Sequence, residues 1–134
     1  MIKTTAQTIT LRGRIPSKKN SKRIARIQRG PQRGRTVLVS SRNHNIWHHS
    51  AQIELLEQKA RPMTGQLSVA MKFWFPDNRR SDLTNKAESV MDLLVDVGII
   101  EDDNVAVCPK VSLEFMGVDR QNPRVEVELI KIEP

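Results

Sequence analysis

A chain of 134 residues is one domain by length, with room for a modest core and none for a second catalytic domain. Its formal charge of +7 is unevenly laid out: twelve Lys and Arg and no acid precede Glu54, while the remainder carries ten bases and all fifteen acids. The first part therefore suits a polyanion and the second a cation. A single cysteine, Cys108, excludes an internal disulfide and a thiolate cluster within one chain, and is expected as buried strand packing in a reducing compartment. No apolar run approaches the roughly 20 residues of a membrane span. The first residues, MIKTTAQTIT, lack the apolar centre of a secretion signal, so a cytoplasmic protein with no membrane contact is expected.

In chain order, Ile2 to Ile15 alternates loosely through Thr8, Ile9, Thr10 and Leu11, which predicts a first strand ended by Pro16. Pro16 to Arg35 has no apolar period and is rich in Gly, Pro and base, so it predicts an extended or mobile arm that orders on DNA. Thr36 to Ser41 predicts a short returning strand. From Arg42 to Ala60 the residues Ile46, Trp47, Ala51, Ile53, Leu55 and Leu56 fall near helical spacing, with Pro62 and Gly65 closing the element. Leu67, Val69, Met71, Phe73 and Phe75 recur at period two, the pattern of a half-buried strand. Leu83, Ala87, Val90, Met91, Leu94 and Val95 switch to a 3.6 period, and Gly98 supplies the stop. Two last strands, about Val105 to Phe115 and Arg124 to Ile132, are joined by the turn-rich GVDRQNP. The order predicts a single α+β domain: locally paired strands in a mixed sheet covered by two helices.

The chemistry concentrates in FPDNRRSDLTNKAESVMDLLVDVGIIEDDNVAV, Phe75 to Val107, where acids stand beside bases. Asp82 precedes the second helix, so it is either a cap for the free amides or a metal ligand exposed at the helix start. Asp102 and Asp103, preceded by Glu101, are either a hard-cation site or a solvated acidic run. A helix from Leu83 to Val97 is roughly 22 Å long, and the five residues that follow can span roughly 16 Å back along it. Either the chain turns back so that Asp82 and Asp103 meet, or a second subunit supplies one of them.

FPDNRRSDLTN, followed by GIIEDDNV, resembles the RusA-type Holliday junction resolvases, whose signature is a proline, a basic run, an Asp-Leu-Asp-Asn helix start and a later Asp-Asp pair. The entry PSKKNSKR is similar to the family's basic, proline-containing stretch after the first strand. The resemblance implies a small RusA-like α+β endonuclease that acts as a homodimer on branched DNA with Mg²⁺, or Mn²⁺ in its place, and no small-molecule cofactor. By position it assigns Asp82, Asn85 and Asp103 to the catalytic site, with Asp102 beside Asp103. Two departures stand out: Thr84 occupies the place of the motif's second aspartate, and Glu88 that of its lysine, with Lys86 two positions away.

Positions 84 and 88 are neighbours on a helix, so Glu88 is expected to replace the carboxylate missing at Thr84 and Lys86 to replace the lysine. Against this, Asp92 and Asp96 continue the Glu88 row as a solvated face would. Asp82, Asp103, Glu88 and Asp102 are thus the candidate metal ligands, with Lys86 and Asn85 beside them. Lys86, Arg79 and Arg80 are expected on phosphate oxygens. The arm, with Arg14, Lys18, Lys19, Lys22, Arg23 and Arg26, is expected on the DNA backbone, with steep salt dependence and no base reading. His44 and His48 are spaced i, i+4 without an evident third ligand, which argues against a transition-metal site and for histidines near DNA, with Trp47 packed inward. Five aromatic residues and no tyrosine argue against a base-stacking platform. Two other readings are a non-catalytic branched-DNA-binding module of the same fold, weakened at Thr84, and a basic RNA-associated protein.

Overall fold

The computed structural model describes residues 5–17, 22–40 and 42–133; for residues 22–26 and 37–40 the description is of the backbone. The elements are β1 (Ala6–Arg12), β2 (Lys22–Arg26), β3 (Thr36–Ser40), α1 (Arg42–Glu57), β4 (Leu67–Phe75), α2 (Leu83–Asp96), β5 (Lys110–Val118) and β6 (Arg124–Lys131). Four strands form a mixed sheet in the order β1-β6-β4-β5, in which β6 runs antiparallel to both neighbours and β4 runs parallel to β5. This is the expected α+β domain with a mixed sheet and two helices.

The period-two pattern of β4 has its physical consequence at the centre of the sheet. Leu67, Val69, Met71 and Phe73 are at most 1% exposed, and they meet Val125, Val127 and Leu129 of β6 and Ile9 and Leu11 of β1 in one core. Trp47, Ala51 and Leu55, one turn apart along α1, and Ala87, Val90, Met91, Leu93 and Leu94 of α2 complete it. Because β4 and β5 are parallel, α2 is their crossover and runs back against them. Its start therefore lies at the ends of β4 and β5, and its end lies where those strands begin. Gly98, at φ +80°, closes α2, and Ile99 and Ile100 turn inward to be buried.

Three expectations are corrected. The segment read as an arm contains a strand: β2 pairs antiparallel with β3 from Lys22↔Ser40 to Arg26↔Thr36, making a two-stranded ribbon whose turn is closed by Ile27 and Arg35. The sequence KRIAR lacks the period-two alternation by which the other strands are recognised. The last strands do not pair with each other, because the short connection from Val118 to Arg124 arches over the end of β4 and sets β6 on its far side. Finally, Asn104–Val107 is turn rather than strand: Asn104 accepts from the Ala106 and Val107 amides through Oδ1, and β5 begins at Lys110. Cys108 is buried as expected, but just ahead of β5 rather than within it.

Candidate active site

Asp82 stands at the N-cap of α2 with extended backbone angles. Its Oδ1 accepts from the Thr84 amide at 3.1 Å and from Thr84 Oγ1 at 2.7 Å, while Oδ2 accepts from Asn85 Nδ2 at 3.2 Å. The cap role is thus real. Asp82 is nevertheless exposed, so capping leaves its carboxylate facing solvent. Thr84 and Asn85, two of the motif positions, orient that carboxylate from the first turn.

The loop that leads into this helix start carries arginines. Asp77 pairs with the Arg14 guanidinium and accepts from the Arg79 amide at 3.0 Å. The Arg79 amide first, and then Arg14, hold its carboxyl below the ordinary range. The Arg14 pair ties the end of β1 to the β4–α2 loop; Arg79 Nε also lies 3.5 Å from Asp77 Oδ2, although its side chain is 78% exposed, and Arg80 is exposed. A cleft of about 410 Å³ runs through this loop, lined by Asp77, Arg79, Arg80, Leu83, Phe75 and, from β5, Phe115.

Lys86 lies elsewhere than the phosphate contact expected of it. It is 6% exposed, its Nζ donates to the Ile15 carbonyl at 2.6 Å, and the ammonium sits 5.2 Å from the centre of the Phe75 ring. Burial first, and then the nearby Arg14, push its pKa down. One turn on, Ser89 Oγ donates to the Pro16 carbonyl at 2.8 Å. Together they fasten the chain leaving β1 to α2, at the root of the segment that leads to the ribbon.

The late acids form a different environment. Asp102 Oδ1 accepts from the Asp103 amide at 2.7 Å and Oδ2 from Asn104 Nδ2 at 3.1 Å, and Cys108 Sγ lies 3.6 Å from the Asp102 carbonyl. The Asp103 carboxyl is pushed above the ordinary range, by desolvation first and then by Asp102, with Asp92 adding to it. The Gly65 amide donates to Glu101 Oε1 at 3.2 Å and the Leu67 amide to the Val107 carbonyl at 2.7 Å, so the acidic turn lies where β4 begins, at the end of α2 rather than at its start. Asp92 is ten residues beyond Asp82, about 15 Å along a helix axis.

Asp82 and Asp103 therefore belong to separate clusters within one chain. Glu88 is exposed on the helical row that runs from Thr84 to Asp92. Among the described residues, no group of three His, Cys, Asp or Glu side chains is gathered closely enough to hold a metal ion. His44, His48 and His49 share a polar cleft of about 430 Å³ with Asp92 and Asp96, and His48 Nε2 lies 3.1 Å from Asp96 Oδ2. Sequence reading missed Asp77 and Asp92; Asp77, inside PDNRR, carried a signal in its adjacency to the arginines, whereas Asp92 had none beyond its helical row. Lys22, Arg23 and Arg26 lie on β2 of the ribbon, and Lys18 and Lys19 lie outside the described residues.

A small α+β domain with a ribbon of basic sequence, an exposed aspartate at a helix start behind an arginine-bearing loop, and a second acidic cluster has the features of a protein that acts on a polyanion. The chain belongs to the RusA endodeoxyribonuclease family: the family model described as Endodeoxyribonuclease RusA matches residues 13–130, nearly the whole chain. Membership implies nuclease activity of the Holliday junction resolvase type and action on branched DNA. No curated protein matches the chain closely enough to count as a relative. Among the described residues no helix is long and apolar enough to cross a membrane.

Proposed function

We propose that the protein is a metal-dependent endonuclease that cuts four-way and other branched DNA as a homodimer, with Asp82 and Asp103 as its principal acids. The observation that carries this reading is the exposed Asp82 carboxylate at the start of α2, directly after the loop whose exposed Arg79 and Arg80 line a cleft, in a chain of a nuclease family. A cap alone needs only Ser, Thr or Asn, and a phosphate-binding surface alone is better without an acid. An exposed acid directly after an arginine-bearing loop suits a site where a cation and a phosphate meet.

The oxygen donors suit Mg²⁺, or Mn²⁺ in its place, which would supply a water of lowered pKa and charge to offset that of the phosphate. One chain does not gather those donors into a complete set. We assign the set to two copies: Asp82, with Glu88 in support, from one subunit and Asp103 with Asp102 from the other. Arg79 and Arg80 hold phosphate oxygens, Thr84 and Asn85 aim the Asp82 carboxylate, and Lys86 positions the root of the ribbon rather than touching DNA. The ribbon bases Lys22, Arg23 and Arg26, with Lys18, Lys19 and Arg14, follow the backbone of a DNA arm.

Cutting assays decide it. Wild-type protein should nick a synthetic four-way junction with Mg²⁺ and not with chelator, sparing linear duplex and structured RNA; Asp82→Asn and Asp103→Asn should each be inactive. Mixing those two inactive variants should restore nicking, because the mixed dimer holds one site with both acids intact. No recovery in exchanged mixed dimers would refute the shared set. Tight junction binding without cutting would favour the binding module, and equal affinity for RNA without a metal response would reject both DNA readings.

A further inference from the structure

We infer that the outer edge of β5 is the seam between two copies of this chain, paired antiparallel about a two-fold axis through Leu113; the inference rests on the homodimer reading above. β5 is an end strand of the sheet, so one side of its backbone has no strand beside it among the described residues. Long apolar edge strands are normally shortened, bulged or charged, because they recruit other strands. This one has a bulge at Met116 and two charges, Lys110 and Glu114, yet still keeps Val111, Phe115, Met116 and Val118 at 45%, 49%, 42% and 37% exposure, nearly half of the large exposed hydrophobics among the described residues.

The register follows from three constraints. Outward-pointing peptide groups alternate along a strand, so a symmetric antiparallel pair must match residues whose numbers sum to an even value, with one residue on the axis. The ladder with β4 shifts between Phe73↔Phe115 and Trp74↔Gly117, so Met116 is a bulge and the regular edge ends at Phe115. Centring on Glu114 would set two carboxylates face to face, which is unfavourable. Centring on Ser112 would pair just as many residues, Lys110 to Glu114, but would leave Phe115, the most exposed apolar side chain of the strand, without a partner; centring on Leu113 sets Leu113 against Leu113 and Val111 against Phe115 twice, with Lys110 diagonally beside Glu114 of the other copy at both ends. Val111, Leu113 and Phe115 share the face of Val69, Met71 and Phe73, so the apolar layer of one subunit continues into the next.

The same geometry has a consequence for the acids. Phe115 lines the cleft of Arg79 and Arg80, so the far end of β5 adjoins the Asp82 loop. Antiparallel pairing delivers the beginning of the second copy's β5, just beyond its Asp102 and Asp103, to that end. A second copy on this edge thus points one chain's late acids toward the other chain's helix start.

Oxidative crosslinking in a Cys108→Ser background tests the seam. Leu113→Cys should crosslink to itself, and Val111→Cys should crosslink with Phe115→Cys but not with itself. Phe115→Lys, at a half-exposed position, should keep the far-ultraviolet circular dichroism of the parent and sediment as a monomer. A dimer by sedimentation that leaves Leu113→Cys uncrosslinked overturns the seam while leaving the nuclease reading intact. A chain that sediments as a monomer while cutting junctions overturns the seam and the homodimer together. Crosslinking through Ser112→Cys instead of Leu113→Cys overturns the register.

Discussion

Replacing Asp82 separates what this residue does for the helix from what it does for DNA. In Asp82→Ala, Thr84 loses its acceptor for both the amide and the hydroxyl, and Asn85 loses the acceptor of its amide group. Loss of an N-cap of this kind costs about 1 kcal/mol. With an unfolding entropy of about 2.1 cal/mol/K per residue, a 134-residue chain has about 0.28 kcal/mol/K, so the melting temperature should fall by about 4 °C. α2 supplies five residues of the buried core, so its fraying is felt by the whole domain rather than by a local turn. Asp82→Asn keeps the Oδ1 acceptor and is itself a favoured cap; it gives up the favourable charge at the helix start, about 0.3–1 kcal/mol, and should melt between wild type and Asp82→Ala. Both variants should lose junction cutting. Melting followed by circular dichroism, beside a junction-nicking assay, reads the two roles apart. If Asn destabilises as much as Ala, the cap geometry is wrong; if Asn cuts normally, the assignment of Asp82 to the chemistry is wrong.

Further outcomes follow from the same placements. Arg79→Ala with Arg80→Ala should lower the magnitude of the slope of log affinity against log salt by up to about 1.8, whereas Lys86→Met should leave that slope unchanged, because its ammonium is committed to the Ile15 carbonyl; filter binding across a salt series measures both. Asp103→Asn should raise the melting temperature at pH 7. Its folded pKa lies above the unfolded value, so the native state binds more protons between the two, and stability falls as pH rises through that window. The gain from Asn should therefore vanish in acid, and melting curves from pH 3 to 8 follow it. Glu88→Gln should weaken Mg²⁺-dependent cutting without shifting the melting temperature, since Glu88 is exposed; unchanged cutting over a metal titration would remove it from the ligand set.

Local pattern made much of this protein legible before any coordinates. β4 falls where period two places it, α2 starts at Leu83 behind its capping Asp82, and the spacing from RRSDLTN to EDDN carries the family. Each is a short-range property: side-chain alternation, capping and helical period are set by residues within a few positions of one another. TVLVS was legible as a strand, but its partner KRIAR was not, because it has no period-two alternation and its pairing is made across a turn; the β5–β6 separation escaped because pairing depends on what lies between two strands.

For the site, residue types alone marked Asp82, Asp102 and Asp103, and the arginines beside them. Only the fold decided that Lys86 is buried on a carbonyl and that Asp77 holds Arg14. It also decided that the turn carrying Asp103 lies where β4 begins, at the far end of α2 from Asp82. Those outcomes depend on the parallel crossover, which runs α2 back against β4 and β5 and so sends its two ends to opposite ends of the sheet. Spacing along the chain records how far two acids can reach; the direction of the return, which no local pattern encodes, determines whether they meet.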